Sequence, residues 1–250
     1  MAYIECHNLS KAYRTKNGKV SALQNVSLGI EEREFICILG PSGCGKTTLL
    51  KILAGLEQPD TGSILLDKWG TLVFQEYGLF PWMTILENAA FGLEMQGVNK
   101  PTRYALARKW LIKQGLGAFE NHYPHQLSGG MRQRVAIVRA LLSENQLLLM
   151  DEPFGALDAQ TRYVLQKELI DLWQQELKTI IYVTHDIDEA ILLADRILVM
   201  SQRPSRVLKE IKISQPRPRD FFSIKNEQTQ SIKKEIWQML ENEVHQHLKM

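Results

Sequence analysis

A glycine-rich segment of this 250-residue chain has the residue types of a phosphate-binding loop. GPSGCGKTT, at residues 40–48, fits the pattern G-x-x-x-x-G-K-[ST], follows the apolar run FICIL and leads into the helix-like run TTLLKILAGL. Its glycines allow the backbone to curl so that N–H groups face phosphate oxygens. Lys46 supplies a cation for the β- and γ-phosphates, and Thr47 supplies a hydroxyl for Mg²⁺. A glycine-rich turn that fits by chance is the alternative, but the flanking strand and helix favour a nucleoside triphosphate site.

A second segment with anion-binding character, LSGGM at residues 127–131, opens the helix-like run RQRVAIVRALL. A helix N-terminus bordered by glycines offers backbone N–H groups and the positive end of the helix dipole to an anion. The simpler interpretation is a helix capped by Ser128. Together the two segments raise the question of why one chain needs two phosphate sites.

Two carboxylates and a histidine follow two further apolar runs. Asp151 and Glu152 end the run QLLLMDE, and His185 follows TIIYVT. Ligands of parallel α/β sheets bind at the carboxyl ends of the strands. We therefore expect Asp151 to hold Mg²⁺, Glu152 to polarise the attacking water as a general base, and His185 to bind the γ-phosphate. The alternatives are a surface turn for the carboxylates and a structural role for the histidine.

Apolar runs alternate with helix-period segments along the chain, which predicts an α/β core with a mostly parallel sheet. Strands are expected near residues 4–9, 20–30, 35–39, 72–75, 147–150, 179–184 and 197–200. Helices are expected near residues 45–54, 84–95, 102–114, 129–142, 159–176 and 187–193. Residues 84–143 have helical signal and no strand signal, so we expect a helical subdomain inserted into the sheet domain.

The composition is that of an ordinary globular protein, with 44% hydrophobic residues, 23% charged residues and a formal net charge of +2. This near-neutral charge gives no case for nucleic acid or a membrane surface as a partner. Cys6, Cys37 and Cys44 have neither paired nor metal-binding spacing, which suits a reducing compartment. The N-terminus lacks the pattern of a secretory signal and no apolar run is long enough to span a bilayer, so we expect a cytosolic chain. Cys44, inside the phosphate loop, is either a redox switch or a small space-filling residue.

The C-terminal part of the chain predicts a linker and a helix. QPRPRD, at residues 215–220, fits neither a helix nor a central strand. An apolar residue then recurs every four positions, which is typical of an amphipathic helix: Ile232, Ile236, Leu240, Val244 and Leu248. Such a helix either packs onto its own domain or has a regulatory or dimerising role.

Taken together, these motifs resemble those of the ATP-binding-cassette (ABC) ATPases, over residues 1–214. The resemblance implies a P-loop NTPase core with an antiparallel N-terminal β-subdomain and an inserted helical subdomain, followed by the linker and C-terminal helix over residues 215–250. The matching motifs occur in the family's order: Tyr13, the loop at 40–47, Gln75 in LVFQEYGLFPW, LSGGM at 127–131, LLLMDE at 147–152, ALD at 156–158 and His185.

The resemblance also implies that two such chains associate head to tail, or that one pairs with a homologous cassette, with two ATP molecules between them. Each ATP would then lie between the phosphate loop of one chain and the LSGGM segment of the other. By the same resemblance Tyr13 stacks on adenine, Gln75 touches Mg²⁺ or the attacking water, and Asp158 meets the partner's phosphate loop. The other residues expected to contact the nucleotide are Gly40, Pro41, Ser42, Gly43, Cys44, Gly45, Lys46, Thr47, Thr48, Ser128, Gly129 and Gly130.

Three features depart from the family pattern. Met131 stands where the signature usually has glutamine, a variant that occurs among importer ATPases. The segment at residues 62–75 is shorter than usual, and a β-hairpin loop is expected to be trimmed there. Arg33 occupies a turn position where glycine is common in the family.

Within the family, a short single cassette carrying EYGLFPWMTILEN resembles the ATPase subunit of a bacterial importer, most closely the nitrate/sulfonate/taurine group. The resemblance implies a peripheral position on the cytoplasmic face of the membrane, bound to permease subunits, with an external substrate-binding protein as an indirect partner. Tyr77 and Trp82 would border the permease-docking groove. The competing class is a soluble ABC-type ATPase in assembly or nucleic-acid processing, and the absence of a basic stripe argues against nucleic acid.

Overall fold

The computed structural model describes residues 3–16, 18–74, 76–220 and 226–248, with side chains described as far as residue 243. The strands are β1 Ile4–Thr15, β2 Gly18–Ile30, β3 Phe35–Leu39, β4 Thr61–Leu66, β5 Thr71–Val73, β6 Leu147–Asp151, β7 Thr179–Thr184, β8 Arg196–Met200 and β9 Val207–Lys212. The helices are α1 Lys46–Leu53, α2 Ile85–Met95, α3 Lys100–Lys113, α4 Gly129–Leu141, α5 Ala159–Glu176, α6 Ile187–Leu193 and α7 Glu227–Leu248. Short 3₁₀ turns lie at Gly117–Phe119 and Pro124–Gln126.

The chain forms two units. The first contains Met1–Gly70 and Leu177–Met250, and the second contains Thr71–Glu176. The first unit therefore holds the phosphate loop and His185, whereas the second holds the LSGGM segment and the Asp151–Glu152 pair. Each unit is described separately below.

An antiparallel sheet in the order β2-β1-β4 lies in the first unit, as the family resemblance implied. β1 and β2 form a long hairpin whose register runs from Ile4 opposite Ile30 to Thr15 opposite Gly18. β4 pairs with the other edge of β1, and its Gly62 has a φ of +96°. Residues 67–70 follow β4 and lead directly to β5, so the shortened segment noted in the sequence joins β4 to β5 by one short turn.

The first unit also contains β7, β3, β8 and β9, in that order across the sheet. β3 pairs in parallel with both β7 and β8, and β9 is an antiparallel edge strand beside β8. Every side chain of β3 and β7 is buried, which is why both read as unbroken apolar runs rather than as alternating patterns. The two strands are therefore the buried core on which the loop after β3 and the histidine after β7 are mounted.

The second unit combines the parallel pair β5-β6 with helices. α2 begins with a capping box in which Thr84 and Glu87 satisfy each other's backbone N–H groups. Asn99 caps the N-terminus of α3, and its side chain accepts a hydrogen bond from the N–H of Thr102. Among the described residues of 84–143 there are helices and 3₁₀ turns and no strand, in agreement with the helical signal; a separate subdomain over these residues stays a prediction.

The C-terminal segment packs onto the first unit. Residues 215–220 form neither helix nor strand, but Arg219 hydrogen-bonds to the backbone carbonyls of Ile191 and Ala194 at the end of α6. α7 lies against α6 and buries Ile236 completely. The side chains of Val244 and Leu248, which complete the predicted apolar repeat, lie outside the described residues.

The turn before β3 contains Arg33, at the position where the family commonly has glycine. Its φ is +62°, so this arginine adopts the left-handed conformation that a glycine adopts more easily. The Arg33 N–H donates to Thr179 Oγ1 at 2.8 Å, and Glu34 closes the turn by accepting from the N–H of Glu31 at 2.9 Å. These hydrogen bonds hold the turn in a conformation that arginine alone does not favour.

Candidate functional site

The phosphate loop joins the end of β3 to the start of α1. Gly43 and Gly45 have φ values of +74° and +126°, which residues with side chains rarely adopt. A Cβ on Gly45 would also lie 2.8 Å from the backbone oxygen of Ala22, so no larger residue fits there. Gly45 precedes α1 and no side chain caps this helix. The first turn of α1 therefore presents backbone N–H groups in the manner of an anion site.

Lys46 lies over this loop and is only 4% exposed. Its ammonium donates to the backbone carbonyls of Gly40 at 2.7 Å and Pro41 at 2.9 Å. The cation is thus held at the loop itself rather than in solvent. The next residue, Thr47, is exposed and lies in the first turn of α1.

Tyr13 is brought to the same helix. Its hydroxyl is 3.4 Å from Thr48 Oγ1, and the ammonium of Lys11 lies 5.8 Å from its ring centroid. The side chain is partly exposed. An aromatic ring beside the phosphate loop is in a position to stack on the base of a bound nucleotide.

His185 comes to the loop through strand register. Leu39, the last residue of β3, lies opposite Thr184, the last residue of β7, in a parallel pair. Gly40 and His185 therefore leave the sheet side by side at its carboxyl edge, and His185 is exposed. The sequence expectation that these two motifs share one edge is met within the first unit.

Cys44 is fully buried in the loop. Its sulfur is 3.2 Å from where a Cβ on Gly40 would lie, so the thiol fills the space beneath the first glycine. A buried thiol is shielded from oxidants, which favours the space-filling interpretation over the redox switch. At Cys6, a separate buried thiol on β1, burial raises the pKa to about 12.

In the second unit, the carboxylates follow β6. Asp151 is the last residue of that strand, and Glu152 has a φ of +43°. Val73 pairs with Met150, so the ends of β5 and β6 meet at one edge. Gln75, the last residue of the strand predicted near residues 72–75, is outside the described residues.

The LSGGM segment begins α4 as the sequence predicted. Ser128 is exposed and its hydroxyl accepts a hydrogen bond from the Met131 N–H at 3.3 Å. A Cβ on Gly129 would lie 2.9 Å from Tyr77 Oη, and one on Gly130 would lie 3.1 Å from Thr161 Cγ2. A larger residue at either position would therefore make the neighbouring side chain shift. Because Met131 contributes its backbone to the cap, its departure from the family's glutamine leaves the cap unchanged.

Asp158 begins α5 in a similar way. Its carboxylate accepts from the N–H groups of Gln160 at 3.1 Å and Thr161 at 3.0 Å. The hydrogen bond from the Thr161 backbone is the main reason why the pKa of Asp158 lies below its ordinary value. Asp158 is exposed, so a helix cap is its only role visible within one chain.

Two residues that sequence reasoning missed hold the segment around Tyr77. Arg139 donates to the backbone oxygens of Gly78 at 2.8 Å and Tyr77 at 3.3 Å, and its burial lowers the guanidinium pKa. Asn88 is fully buried and its amide bonds both the N–H and the carbonyl of Phe80. A polar residue on an otherwise apolar helix face was the available signal for both. Together they present Trp82, which is 70% exposed.

Within the described ranges, no group of three or more His, Cys, Asp or Glu side chains is arranged to hold a metal ion. None of the helices in the described part of the chain has the length and apolar character needed to cross a bilayer.

Comparisons with known proteins agree with these motifs. The family described as ABC transporter matches residues 23–155. An uncharacterised ABC transporter ATP-binding protein of Methanocaldococcus jannaschii is 47% identical over 98% of this chain and 94% of its own length. The nitrate import ATP-binding protein of Synechocystis sp. is 44% identical over 86% of this chain and 84% of its own length. The aliphatic sulfonates import ATP-binding protein of Bacillus cereus is 43% identical over 95% and 96%, respectively.

Solved structures give the same result. The dimeric structure of a bacterial ABC transporter cassette superposes with a TM-score of 0.76 at 35% identity, covering 85% of this chain and all of the cassette. A post-hydrolysis dimer of that cassette bound to ADP and phosphate has a TM-score of 0.75 at 34% identity, with the same coverage. The α/β fold, the ordered motifs and these matches lead to one conclusion: the chain belongs to the ABC transporter family and is an ABC ATPase.

Proposed function

We propose that this chain is the ATP-hydrolysing subunit of an importer that takes up a small anionic solute of the nitrate, sulfonate or taurine type through a separate permease. The observation that carries the proposal is the occurrence, in one chain, of a phosphate loop with Lys46 held over it and a second anion-binding helix start at Ser128. The relatives that import nitrate and aliphatic sulfonates support the solute class.

Two such sites in one chain are best explained by a nucleotide shared between two chains. Ser128 and the N-terminal turn of α4 are accessible, as an intermolecular contact requires. The solved relatives are dimers. We infer a head-to-tail homodimer, or a pair with a homologous cassette, in which Ser128, Gly129 and Gly130 of one chain bind the γ-phosphate held by the loop of the other.

Within each shared site, the loop N–H groups and Lys46 bind the phosphates, and Tyr13 stacks on adenine. Glu152 acts as the general base that polarises the attacking water, and His185 orients the γ-phosphate and that water. Gln75 contributes to the same water by resemblance alone. Asp158 approaches the phosphate loop of the partner chain.

Mg²⁺ is the metal that this site is expected to use. The hydroxyl of Thr47 and the carboxylate of Asp151, the last residue of β6, are hard oxygen donors of the type that Mg²⁺ prefers. When bound, Mg²⁺ neutralises charge on the β- and γ-phosphates.

Closure of the dimer on ATP would move the permease, and hydrolysis would reopen it. ATP can drive closure because it makes contacts to both chains only in the closed state. The Tyr77–Trp82 region is proposed as the docking surface for the permease, since Trp82 is a large exposed anchor on a segment fixed by Arg139 and Asn88. In this arrangement the chain lies on the cytoplasmic face of the membrane, and the external binding protein contacts only the permease.

Mixing two inactive variants tests the shared site. Lys46→Ala disables the loop of one chain, and Ser128→Arg disables the signature of the other. Each heterodimer then retains one intact composite site where a wild-type dimer has two. About half of the dimers in an equal mixture are heterodimers, so the mixture should occlude about a quarter of the wild-type amount of ATP per dimer, whereas each variant alone should occlude none. Filter binding of labelled ATP measures this. A mixture that occludes no ATP, or single variants that occlude as wild type does, would contradict the proposal.

A further inference from the structure

The backbone on both sides of His185 is anchored to the first turn of α6. The Asp186 carboxylate accepts from the N–H groups of Asp188 at 2.9 Å and Glu189 at 3.2 Å. The Asp186 N–H donates to Thr184 Oγ1 at 3.0 Å, and that hydroxyl also bonds Glu189. A displacement of the first turn of α6 is therefore transmitted directly to the backbone of His185.

The C-terminal helix is tied to that same turn. The ammonium of Lys233 lies 2.7 and 2.6 Å from the two carboxylate oxygens of Asp188. One turn further along α7, Ile236 is completely buried, so this part of the helix is seated and not only attached by charge. The ion pair itself is partly exposed, at 38% for Lys233 and 40% for Asp188.

The other end of α6 is held by the segment that leads to α7. Arg219 bonds the carbonyls of Ile191 and Ala194, and Arg217 bonds the carbonyl of Leu193. Cations at a helix C-terminus are favoured by the helix dipole. Arg217 and Arg219 thus hold the last turn of α6, and Lys233 of α7 holds its first turn.

A cavity of about 510 Å³ lies between the histidine and α7. His185 and Ile187 line one side, and Trp237 and Leu240 of α7 line the other. The helix therefore reaches the histidine through the first turn of α6, and space remains beside the imidazole. The contacts of α7 with α6 thus hold the backbone of His185, whereas the cavity leaves space next to its imidazole ring.

From these contacts we propose that α7 is a positioning element for His185, and that Lys233, acting through Asp188, is the positioning residue. The inference rests on the proposed role of His185 at the γ-phosphate. In this inference the C-terminal segment, which carries none of the nucleotide motifs, influences the rate of hydrolysis through Asp188 and the backbone of His185.

Steady-state ATPase assays of the full chain test the inference with Lys233→Met, which retains most of the apolar stem and removes the charge. The expected result is a kcat lowered about fivefold, within the range for loss of one partly exposed ion pair. The KM for ATP should be unchanged, because the residues proposed to bind the nucleotide, Lys46 of α1 and Tyr13 of β1, lie on other elements. Lys233→Arg should restore most of the rate, since it can pair with Asp188 again.

A second ion pair on α7 supplies the matched control. Lys209 of β9 pairs with Glu235, which ties α7 to the sheet edge and not to α6. Glu235→Gln should leave kcat unchanged. If Glu235→Gln and Lys233→Met lower kcat equally, α7 serves only to dock the C-terminus, and the positioning role is refuted.

The same assay in a His185→Ala background separates this inference from the proposed function. In that background Lys233→Met should not lower kcat further, because the side chain that Lys233 positions is absent. If His185→Ala alone hydrolyses ATP as wild type does, the role of His185 fails and the inference fails with it. If His185→Ala is impaired but Lys233→Met is not, only the inference fails.

Discussion

Glu152 adopts a backbone conformation that its side chain disfavours. Its φ of +43° lies in the left-handed region, where residues other than glycine, asparagine and aspartate are uncommon. Backbone strain of this kind concentrates at functional sites, because the surrounding structure must hold it. The strain therefore supports the assignment of Glu152 as the general base independently of the motif.

Replacing Glu152 by glycine and by alanine should separate strain from chemistry. Both variants lack the carboxylate, so both should lose steady-state ATP hydrolysis. Glu152→Gly should nevertheless be more stable than Glu152→Ala by about 1 kcal/mol, since glycine adopts this φ without strain. Urea unfolding of the two variants measures the difference, and equal stabilities would argue against strain at this position.

Glu152→Gln is the companion variant for the proposed mechanism. It retains the size and hydrogen-bonding capacity of the side chain but cannot act as a base. With ATP it should accumulate as a dimer on gel filtration, because closure occurs and hydrolysis does not. A monomer that still turns over ATP at the wild-type rate would rule out Glu152 as the base.

Asp158 offers a pH-dependent test of its role as a helix cap. Backbone hydrogen bonds, above all from Thr161, lower its pKa in the folded state. A lowered folded-state pKa means that the carboxylate adds stability above its unfolded pKa of about 4, and that this stability is lost as pH falls through the folded value. Asp158→Ala should therefore be less stable than wild type at pH 7, with the gap closing in acid. Asp158→Asn should keep the cap with less dependence on pH, as denaturation at several pH values would reveal.

At the scale of elements, Gly62 in β4 is a position where a larger residue would both strain the backbone and collide with the neighbouring strand. Its φ is +96°, and a Cβ there would lie 2.5 Å from the backbone oxygen of His7 on β1. Gly18 has a similar φ of +117°, but nothing lies within 4 Å of its Cβ position. The two glycines thus differ in steric surroundings and share the conformational requirement.

Gly62→Ala should lower the free energy of unfolding by about 3 kcal/mol, because strain adds to a collision with the β1 backbone. Gly18→Ala, which carries strain alone, should cost about 1 kcal/mol. Thermal or urea unfolding of both variants tests the comparison. Equal losses would mean that the approach of β4 to β1 does not limit this sheet.

The elements differ in how well the sequence predicted them. β3, β7, α5 and α6 begin and end where expected, because each is a buried run or a strongly periodic segment. β4 and β9 were missed. β4 opens with Thr-Gly-Ser, which reads as a turn, and β9 is an edge strand with exposed Lys209 and Glu210 that interrupt its apolar pattern.

Within the candidate site, features encoded in short sequence motifs were predicted, and contacts between residues far apart in the chain were not. The phosphate loop, the cap at Ser128 and the strand-end position of His185 follow from short sequence motifs. The contacts of Arg139 with Gly78 and of Lys233 with Asp188 do not, since each joins residues that are far apart in the chain. Such pairs depend on tertiary packing, for which one sequence gives no periodic or spacing signal.

At the scale of the whole molecule, the proposed importer role depends on a partner that Trp82 should help to bind. Trp82→Ala should leave the ATPase activity of the isolated chain unchanged and weaken co-purification with the permease from detergent extracts by about tenfold or more, as expected for loss of an aromatic anchor. Met95→Ala, a change at a second exposed apolar residue of the same unit, should have little effect. Wild-type chain that co-purifies with ribosomes or DNA and with no integral membrane protein would contradict the transporter role.

The pairing of Leu39 with Thr184 determines which kinds of genetic change the site tolerates. The lateral spacing of Gly40 and His185 is fixed by main-chain hydrogen bonds between β3 and β7, so substitutions that keep these strands apolar alter packing and leave that spacing intact. Insertion or deletion of a single residue in either strand would instead shift one motif past the other and turn alternate side chains to the opposite face. Divergent members of such a lineage can therefore exchange Ile, Val, Leu or Cys within these strands at a cost in packing alone, whereas a change in strand length separates the histidine from the phosphate loop.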